Sequence, residues 1–169
     1  MKFPSKIITN DRAKLSIDCQ PYAKHEFDDA LLFGKHLLEI CKENDGAGLS
    51  APQVGVYKRI AVVNVRQPII MINLWIDWRS LSEIEFKEGC LSFPGKQVTT
   101  IRNKFVKATW VNQDLKSETR LFGPVLGDTA YGDLKKILEC VAVQHEENHL
   151  SGRLFFEFEK PAVAKKGKK

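Results

Sequence analysis

His145-Glu146-Glu147-Asn148-His149 is the segment with the plainest capacity for chemistry. Its two histidines stand four residues apart, so on a helix both imidazoles share one face and reach a common metal ion. Glu146, next to the first of them, is placed to act as a base toward a water that such an ion activates. The pattern fixes only three positions. Its plain alternative is two ordinary histidines on a helix face, with Glu146 in solvent. A catalytic metal also needs a third protein ligand and an open position. The side chains available are the acids, His25, His36 and the four cysteines. Only 20 residues follow His149, and none is a histidine. Glu157 and Glu159 lie there, in and after Leu154-Phe155-Phe156-Glu157-Phe158, which reads as an edge strand with solvated acids. The third ligand is therefore expected upstream.

Two upstream segments stand out. Glu88-Gly89-Cys90-Leu91-Ser92-Phe93-Pro94-Gly95 places a cysteine directly after a glycine, and glycine lets the backbone approach a ligand closely. A thiolate binds divalent metals strongly. Taken alone, a cysteine here reads as a buried side chain, as Cys41 and Cys140 do in apolar helical patterns. Cys19 carries no signal. The other segment, Gly46-Ala47-Gly48-Leu49-Ser50-Ala51-Pro52-Gln53-Val54-Gly55, is not the phosphate-cradling G-x-G-x-x-G, and Pro52 opposes an immediate long helix. By itself it reads as a helix end followed by a loop.

The elements that must position these residues follow from periodicity. Residues 26–43 form an amphipathic helix, with Phe27, Ala30, Leu31, Gly34, Leu37, Leu38 and Cys41 on one stripe. Arg59 to Val65 and Ile69 to Ile76 are strands separated at Pro68. Phe105 to Val111 and Glu118 to Phe122 are two more, joined by Asn112-Gln113-Asp114. Gly127, Asp128 and Gly132 form a loop, Asp133 caps the next helix, and that helix runs from Leu134 through Leu150 and closes at Gly152. Strands without regular crossover helices indicate an α+β fold with mainly antiparallel pairing.

Taken in order, GAGLSAPQ, EGCLS and HEENH resemble the three motifs of the peptide deformylase family, over about residues 25 to 158. The resemblance implies antiparallel sheets packed around a central metal-binding helix, and hydrolysis of the N-formyl group from formylmethionine at the start of newly made proteins. It makes Cys90 the third ligand beside His145 and His149, and Glu146 the general acid and base. It gives the Gln53 amide and the Leu91 backbone N–H to the oxyanion, the Gly48 carbonyl to the formyl N–H, and Gly89 to strand-like pairing with the peptide. Glu88 and Arg102 resemble an ion pair fixing the Cys90 loop. Leu138, Val141 and Ala142, within a turn or two of His145, form one wall of a methionine pocket, with Phe86 and Leu91 opposite; plain core is the other reading of each. Gln144 reads equally as a helix-surface residue. A thiolate with two imidazoles suits Zn²⁺ or Fe²⁺, and the resemblance favours Fe²⁺ as the working ion, with Zn²⁺ or Ni²⁺ substituting. Ser50, Asn148 and Ala47 depart from the family's usual residues, and Ala47 opens one wall of the substrate site. The chain resembles a short form without a long C-terminal helix, a type also found in phage-encoded members.

Composition bounds the remaining possibilities. A chain of 169 residues, 43% hydrophobic and 28% charged, makes one cored domain. The net charge of +5 belongs to the end: residues 160–169 carry Lys160, Lys165, Lys166, Lys168 and Lys169, and residues 1–159 balance 21 basic against 21 acidic side chains. The expected organisation is a single catalytic domain over 1–159 and a basic flexible tail over 160–169. A neutral body argues against a nucleic-acid face, and no run approaches the apolar length of a membrane span. Expected partners are nascent formylmethionyl peptides, with a transient ribosome contact through the tail, no specific nucleic acid and no membrane. The N-terminus has no secretory pattern and the cysteines are sparse, which places the chain in a reducing cytoplasm, the host's if phage-encoded. Two rivals are an H-E-x-x-H endopeptidase, which needs a third His or Glu in place of Cys90, and a catalytically idle ribosome-associated binding module, for which Glu146 and Gln53 serve no purpose.

Overall fold

Both faces of the main sheet carry a helix, and this explains why its second strand is apolar at every position. The computed structural model describes residues 3–124 and 130–161, with the side chains of all but 130–133. The helices are α1 (Arg12–Leu15), α2 (Phe27–Glu43) and α3 (Ala130–Leu150). In spatial order, the main sheet consists of β1 (Gly48–Ser50), β2 (Ile60–Val63), β3 (Ile69–Arg79), β6 (Val106–Val111) and β7 (Ser117–Phe122). Every pairing in it is antiparallel. A separate antiparallel hairpin joins β4 (Glu83–Gly89) to β5 (Gln97–Asn103).

Successive strand side chains point to opposite faces. Ile60 and Val62 of β2 accordingly join Phe33, Leu37 and Ile40 of α2 in one core. Ala61 and Val63 join Cys140, Val143 and Leu150 of α3 in the other. A third, smaller cluster of Leu15, Phe93, Val98, Leu154 and Phe155 seats the hairpin and the segment after α3. The α+β expectation therefore holds, with antiparallel strands packed around the helix that carries His145 and His149.

Several local expectations change. Helix α3 begins at Ala130, so Gly132 and Asp133 lie inside it rather than in a loop and at a cap. An acid is favoured throughout a helix's first turn as well as at its cap, so the sequence signal does not fix the starting residue. Gly127 and Asp128 lie outside the described residues. Leu154 to Phe158 is not an edge strand: Phe155–Phe158 forms a 3₁₀ turn. The Glu157 carboxylate accepts the Leu154 N–H at 2.8 Å, and Phe155 and Phe156 pack on Phe93 with ring centroids 6.0 and 4.9 Å away. Lys160, the first residue of the expected tail, donates its backbone N–H to Thr99 O at 2.8 Å and its ammonium to Glu85 at 2.6 Å. The other four tail lysines lie outside the described residues.

Candidate active site

The C-terminal half of α3 is buried on all sides, and this limits what its polar residues can do. Glu139, Gln144, His145, Glu146, Glu147, Asn148 and His149 are all buried. A buried polar group left unpaired costs about 1–3 kcal/mol, and most of these are paired. Arg66 meets Glu139 at 3.4 Å. Gln144 accepts the Asn103 N–H at 3.1 Å and donates to Asn103 O at 3.0 Å, so it is a clamp to the end of β5 and not a surface residue. Glu147 receives Arg59 at 3.4 Å, Arg79 at 3.0 Å and the Ser151 hydroxyl at 2.8 Å. Arg102 donates to the Asn148 side-chain oxygen at 2.6 Å. Two buried atoms of the motif have no hydrogen-bond partner among the described residues: Glu146 Oε2 and His149 Nδ1.

Cys90 follows the end of β4 and comes to this face of α3. Its sulfur lies 3.3 Å from His149 Nε2, across 59 residues of sequence. The donor atoms of Cys90, His145 and His149 all fall within 4.8 Å of one another, and among the described residues they are the group able to hold a metal ion. The other candidates are elsewhere. His36 contacts Ser5 Oγ at 3.1 Å, His25 lies in the short turn Lys24–Glu26, and Glu157 pairs with Arg153 at 3.0 Å.

Glu88 orients one of the rings. It is 4% exposed, takes Arg102 Nε at 2.5 Å and Nη2 at 2.9 Å, and faces His145 Nδ1 at 2.8 Å. The Thr100 hydroxyl also donates to it. With Nδ1 engaged there, His145 directs Nε2 toward the Cys90 sulfur, the second-layer arrangement common around metal-bound imidazoles. Burial raises the Glu88 pKa, but hydrogen bonds from His145 and Arg102 outweigh it and hold the carboxyl down at about 2. Burial lowers that of His145, but the charge and hydrogen bond of Cys90, with Glu88, push it up to about 10. Burial, then His145 and Arg102, hold His149 well below its ordinary value, so it is neutral and has a lone pair to give. The sulfur and two imidazoles of this cluster are the donor set that suits Fe²⁺ or Zn²⁺. The residues fit a divalent cation.

Glu146 stands beside this centre. Burial pushes its carboxyl up to about 7, against the lowering influence of His145 and Ser50, which suits a group that must both accept and return a proton near neutrality. Gly48 makes room for it. A Cβ at that position would sit 2.5 Å from Glu146 Oε1. On the same side, Gln53 has its amide oxygen fixed by the Ser50 N–H at 2.8 Å and hydroxyl at 2.9 Å. Its NH₂ therefore points to Ser92 Oγ at 3.2 Å and the Cys90 sulfur at 3.6 Å.

A groove of about 750 Å³ opens onto these groups. Phe86, Gly89 and Leu91 line it from the hairpin side, Leu138, Val141 and Ala142 from α3, and Gly48 and Gln53 from the segment around β1. Arg102 does not line the groove; it pairs with Glu88, which does. The residues that sequence reasoning passed over are the supports: Thr100, Ser92, Arg59 and the clamp role of Gln144. Thr100 lies on a strand without an apolar pattern, and Ser92, Arg59 and Gln144 are single polar residues whose partners lie far off in sequence.

The family model described as polypeptide deformylase matches residues 4–164. A peptide deformylase of Agathobacter rectalis is 39% identical over 122 residues, which is 72% of this chain and 68% of that protein. The crystal structure of peptide deformylase from Thermotoga maritima aligns with a TM-score of 0.80 at 25% identity, covering 95% of this chain and 100% of that one. A probable peptide deformylase from Synechococcus phage S-SSM7 aligns with a TM-score of 0.74 at 32% identity, covering 90% of this chain and 98% of that one.

Proposed function

This chain belongs to the polypeptide deformylase family and is a metal-dependent hydrolase that removes the N-formyl group from new peptides; we propose that Cys90, His145 and His149 hold its cation and that Glu146 moves the protons. The observation that carries this assignment is the buried Glu146 oxygen, without a hydrogen-bond partner among the described residues, beside a sulfur and two imidazoles whose donor atoms lie within 4.8 Å of one another. Held by these three residues, a divalent cation would supply Lewis-acid polarisation of the formyl carbonyl and would make water more acidic, its pKa falling from about 15.7 toward about 7.

The chain's own residues do the rest. Glu146 takes a proton from the attacking water as its oxygen bonds to the formyl carbon. The carbonyl oxygen gains negative charge there, and the Gln53 NH₂ and the Leu91 backbone N–H donate to it. Each such donor supplies about 3 kcal/mol in the transition state. Glu146 then returns the proton to the leaving nitrogen as the C–N bond breaks, giving formate and a free amino terminus. Gly48 O receives the formyl N–H, and Gly89 pairs with the peptide backbone. Phe86, Leu91, Leu138, Val141 and Ala142 enclose the methionine side chain, while Glu88 and Arg102 hold His145 and the Cys90 loop.

The working ion is Fe²⁺, with Zn²⁺ or Ni²⁺ able to substitute. The substrate is the nascent formylmethionyl chain in the cytoplasm, and the lysines after Lys160 give a weak, salt-sensitive contact with the ribosome. The test is formate release from formyl-Met-Ala-Ser under anaerobic conditions, with metal measured on the same sample. Formate should appear in proportion to bound metal. A preparation carrying one equivalent of Fe²⁺ and releasing no formate overturns the reading.

A further inference from the structure

Four consecutive residues of β4, Phe86, Lys87, Glu88 and Gly89, line the groove. Alternate residues of a strand point to opposite faces, so a groove that meets all four runs along the strand's edge. Among the described residues, β4 pairs only with β5, and its other edge is the one available to an extended peptide.

The chemistry sets the direction of that peptide. The formylated end must lie at Cys90, immediately after the C-terminal end of β4. Successive peptide residues therefore run back along the strand, antiparallel to it, at about 3.3 Å each. They meet Gly89 first and Lys87 two positions later. Lys96 also lines the groove, with its ammonium 5.8 Å from the ring of Phe93, another lining residue, and 5.9 Å from that of Phe156. Both lysines are exposed. The acids here do not cancel them. Glu88 is buried in its pair with Arg102, Glu146 is buried, and Glu85, the next exposed residue along the same face of β4, is paired with Lys160. Asp45, on the wall after α2, is the one exposed acid among the described lining residues.

From this arrangement we infer that Lys87 and Lys96 select substrates, favouring formylated peptides with acidic side chains within the three residues after formylmethionine. This rests on the deformylase reading of the site. Each exposed pair is of the kind that changes affinity up to about fivefold, and the two lysines flank adjoining stretches of one peptide. The preference belongs to binding and so appears in KM more than in kcat.

The experiment compares formyl-Met-Ala-Glu-Glu, formyl-Met-Ala-Gln-Gln and formyl-Met-Ala-Lys-Lys on the metal-loaded full chain. At about 0.01 M ionic strength, kcat/KM should favour the glutamate peptide over the lysine peptide by about tenfold. At about 1 M, where the Debye length falls to about 3 Å, the ratio should approach one. In a Lys87→Glu, Lys96→Glu double variant the low-salt order should reverse. A ratio taken within one preparation cancels any overall loss of activity, and the wild-type salt series stands if the variant folds poorly. Equal rates for all three peptides at low salt overturn this inference alone, as does a preference that survives the charge reversal. No turnover of any of the three by metal-loaded protein takes down the deformylase reading and this inference with it.

Discussion

Glu146 and Cys90 lie on one groove, but their substitutions separate two functions. Glu146 is buried and lies outside the donor group of Cys90, His145 and His149, so Glu146→Gln should keep the metal and the fold while kcat/KM falls at least about 10²-fold. Metal stoichiometry on the same sample decides it, because loss of metal together with activity would make Glu146 a ligand. Cys90→Ala should lose the metal as well as the activity, since two imidazoles alone hold it less tightly. A fully metal-loaded and active Cys90→Ala protein would remove the sulfur from the site. Glu88 adds a pH dependence. Its carboxyl titrates at about 2 in the fold, against an ordinary 4.5. A group with a depressed folded pKa stabilises the protein above its ordinary value, and that contribution disappears as pH falls toward the folded one. The Tm advantage of wild type over Glu88→Gln should therefore be level between about pH 5 and about pH 6 and shrink as pH drops from about 4.5 to about 2. An advantage unchanged down to pH 2 would mean that Glu88 is not held as the geometry indicates.

At the scale of elements, the buried polar groups of α3 are tied to neighbouring strands. Arg59 is fully buried. It donates to Leu74 O at 2.9 Å and to Leu150 O at 3.1 Å, one residue beyond His149, and lies 3.5 Å over the Trp75 ring. It also meets Glu147. Replacing it with an isosteric apolar residue leaves a buried carboxylate short of a partner, a loss of about 3–5 kcal/mol. Arg59→Met should lower the urea midpoint by a corresponding amount at unchanged slope. A loss under about 1 kcal/mol would show that Arg79 and Ser151 suffice for Glu147. At the other side of the helix, Gln144 and Arg102 tie α3 to β5, fastening the hairpin next to Cys90 to the helix bearing the histidines.

For the whole molecule, charge is the property that separates from catalysis. Residues 1–159 are balanced at 21 basic and 21 acidic side chains, and the excess lies in the last ten residues. Lys160 is fastened to Glu85 and to the backbone of β5, so the cut that tests this falls after Pro161. Deleting residues 162–169 should leave turnover of a short formyl-peptide nearly unchanged. A large loss on that small substrate would show that these residues reach the groove. A loss seen only with ribosome-bound chains at low salt is the expected mark of an electrostatic contact.

What the sequence determined by itself was the chemistry and the elements made of apolar repeats. Two histidines four apart on a helix share a face whatever surrounds them; α2 was legible because burial of one face leaves a period of 3.6, and β2 because burial on both faces leaves a continuous apolar, β-branched run. The three motifs in order carried the rest of the site as a resemblance. The tertiary structure decided how those motifs meet, and it alone revealed the hairpin that joins them. In β4 and β5 the buried side chains include Glu88, Thr100 and Arg102, where the periodicity rule looks for apolar ones. They can be inside because they satisfy one another and His145, so the strands that build the site are the ones whose hydrophobic pattern is broken. The same reason hid the inward faces of Gln144 and Arg59. Leu154 to Phe158 shows the converse: three phenylalanines around Glu157 look like an alternating strand, and packing on Phe93 together with the Glu157 contact to Leu154 N–H turns them into a 3₁₀ turn. A one-dimensional pattern records that a residue is buried, but the partner that makes burial of a charge tolerable lies tens of residues away and is supplied only by the fold.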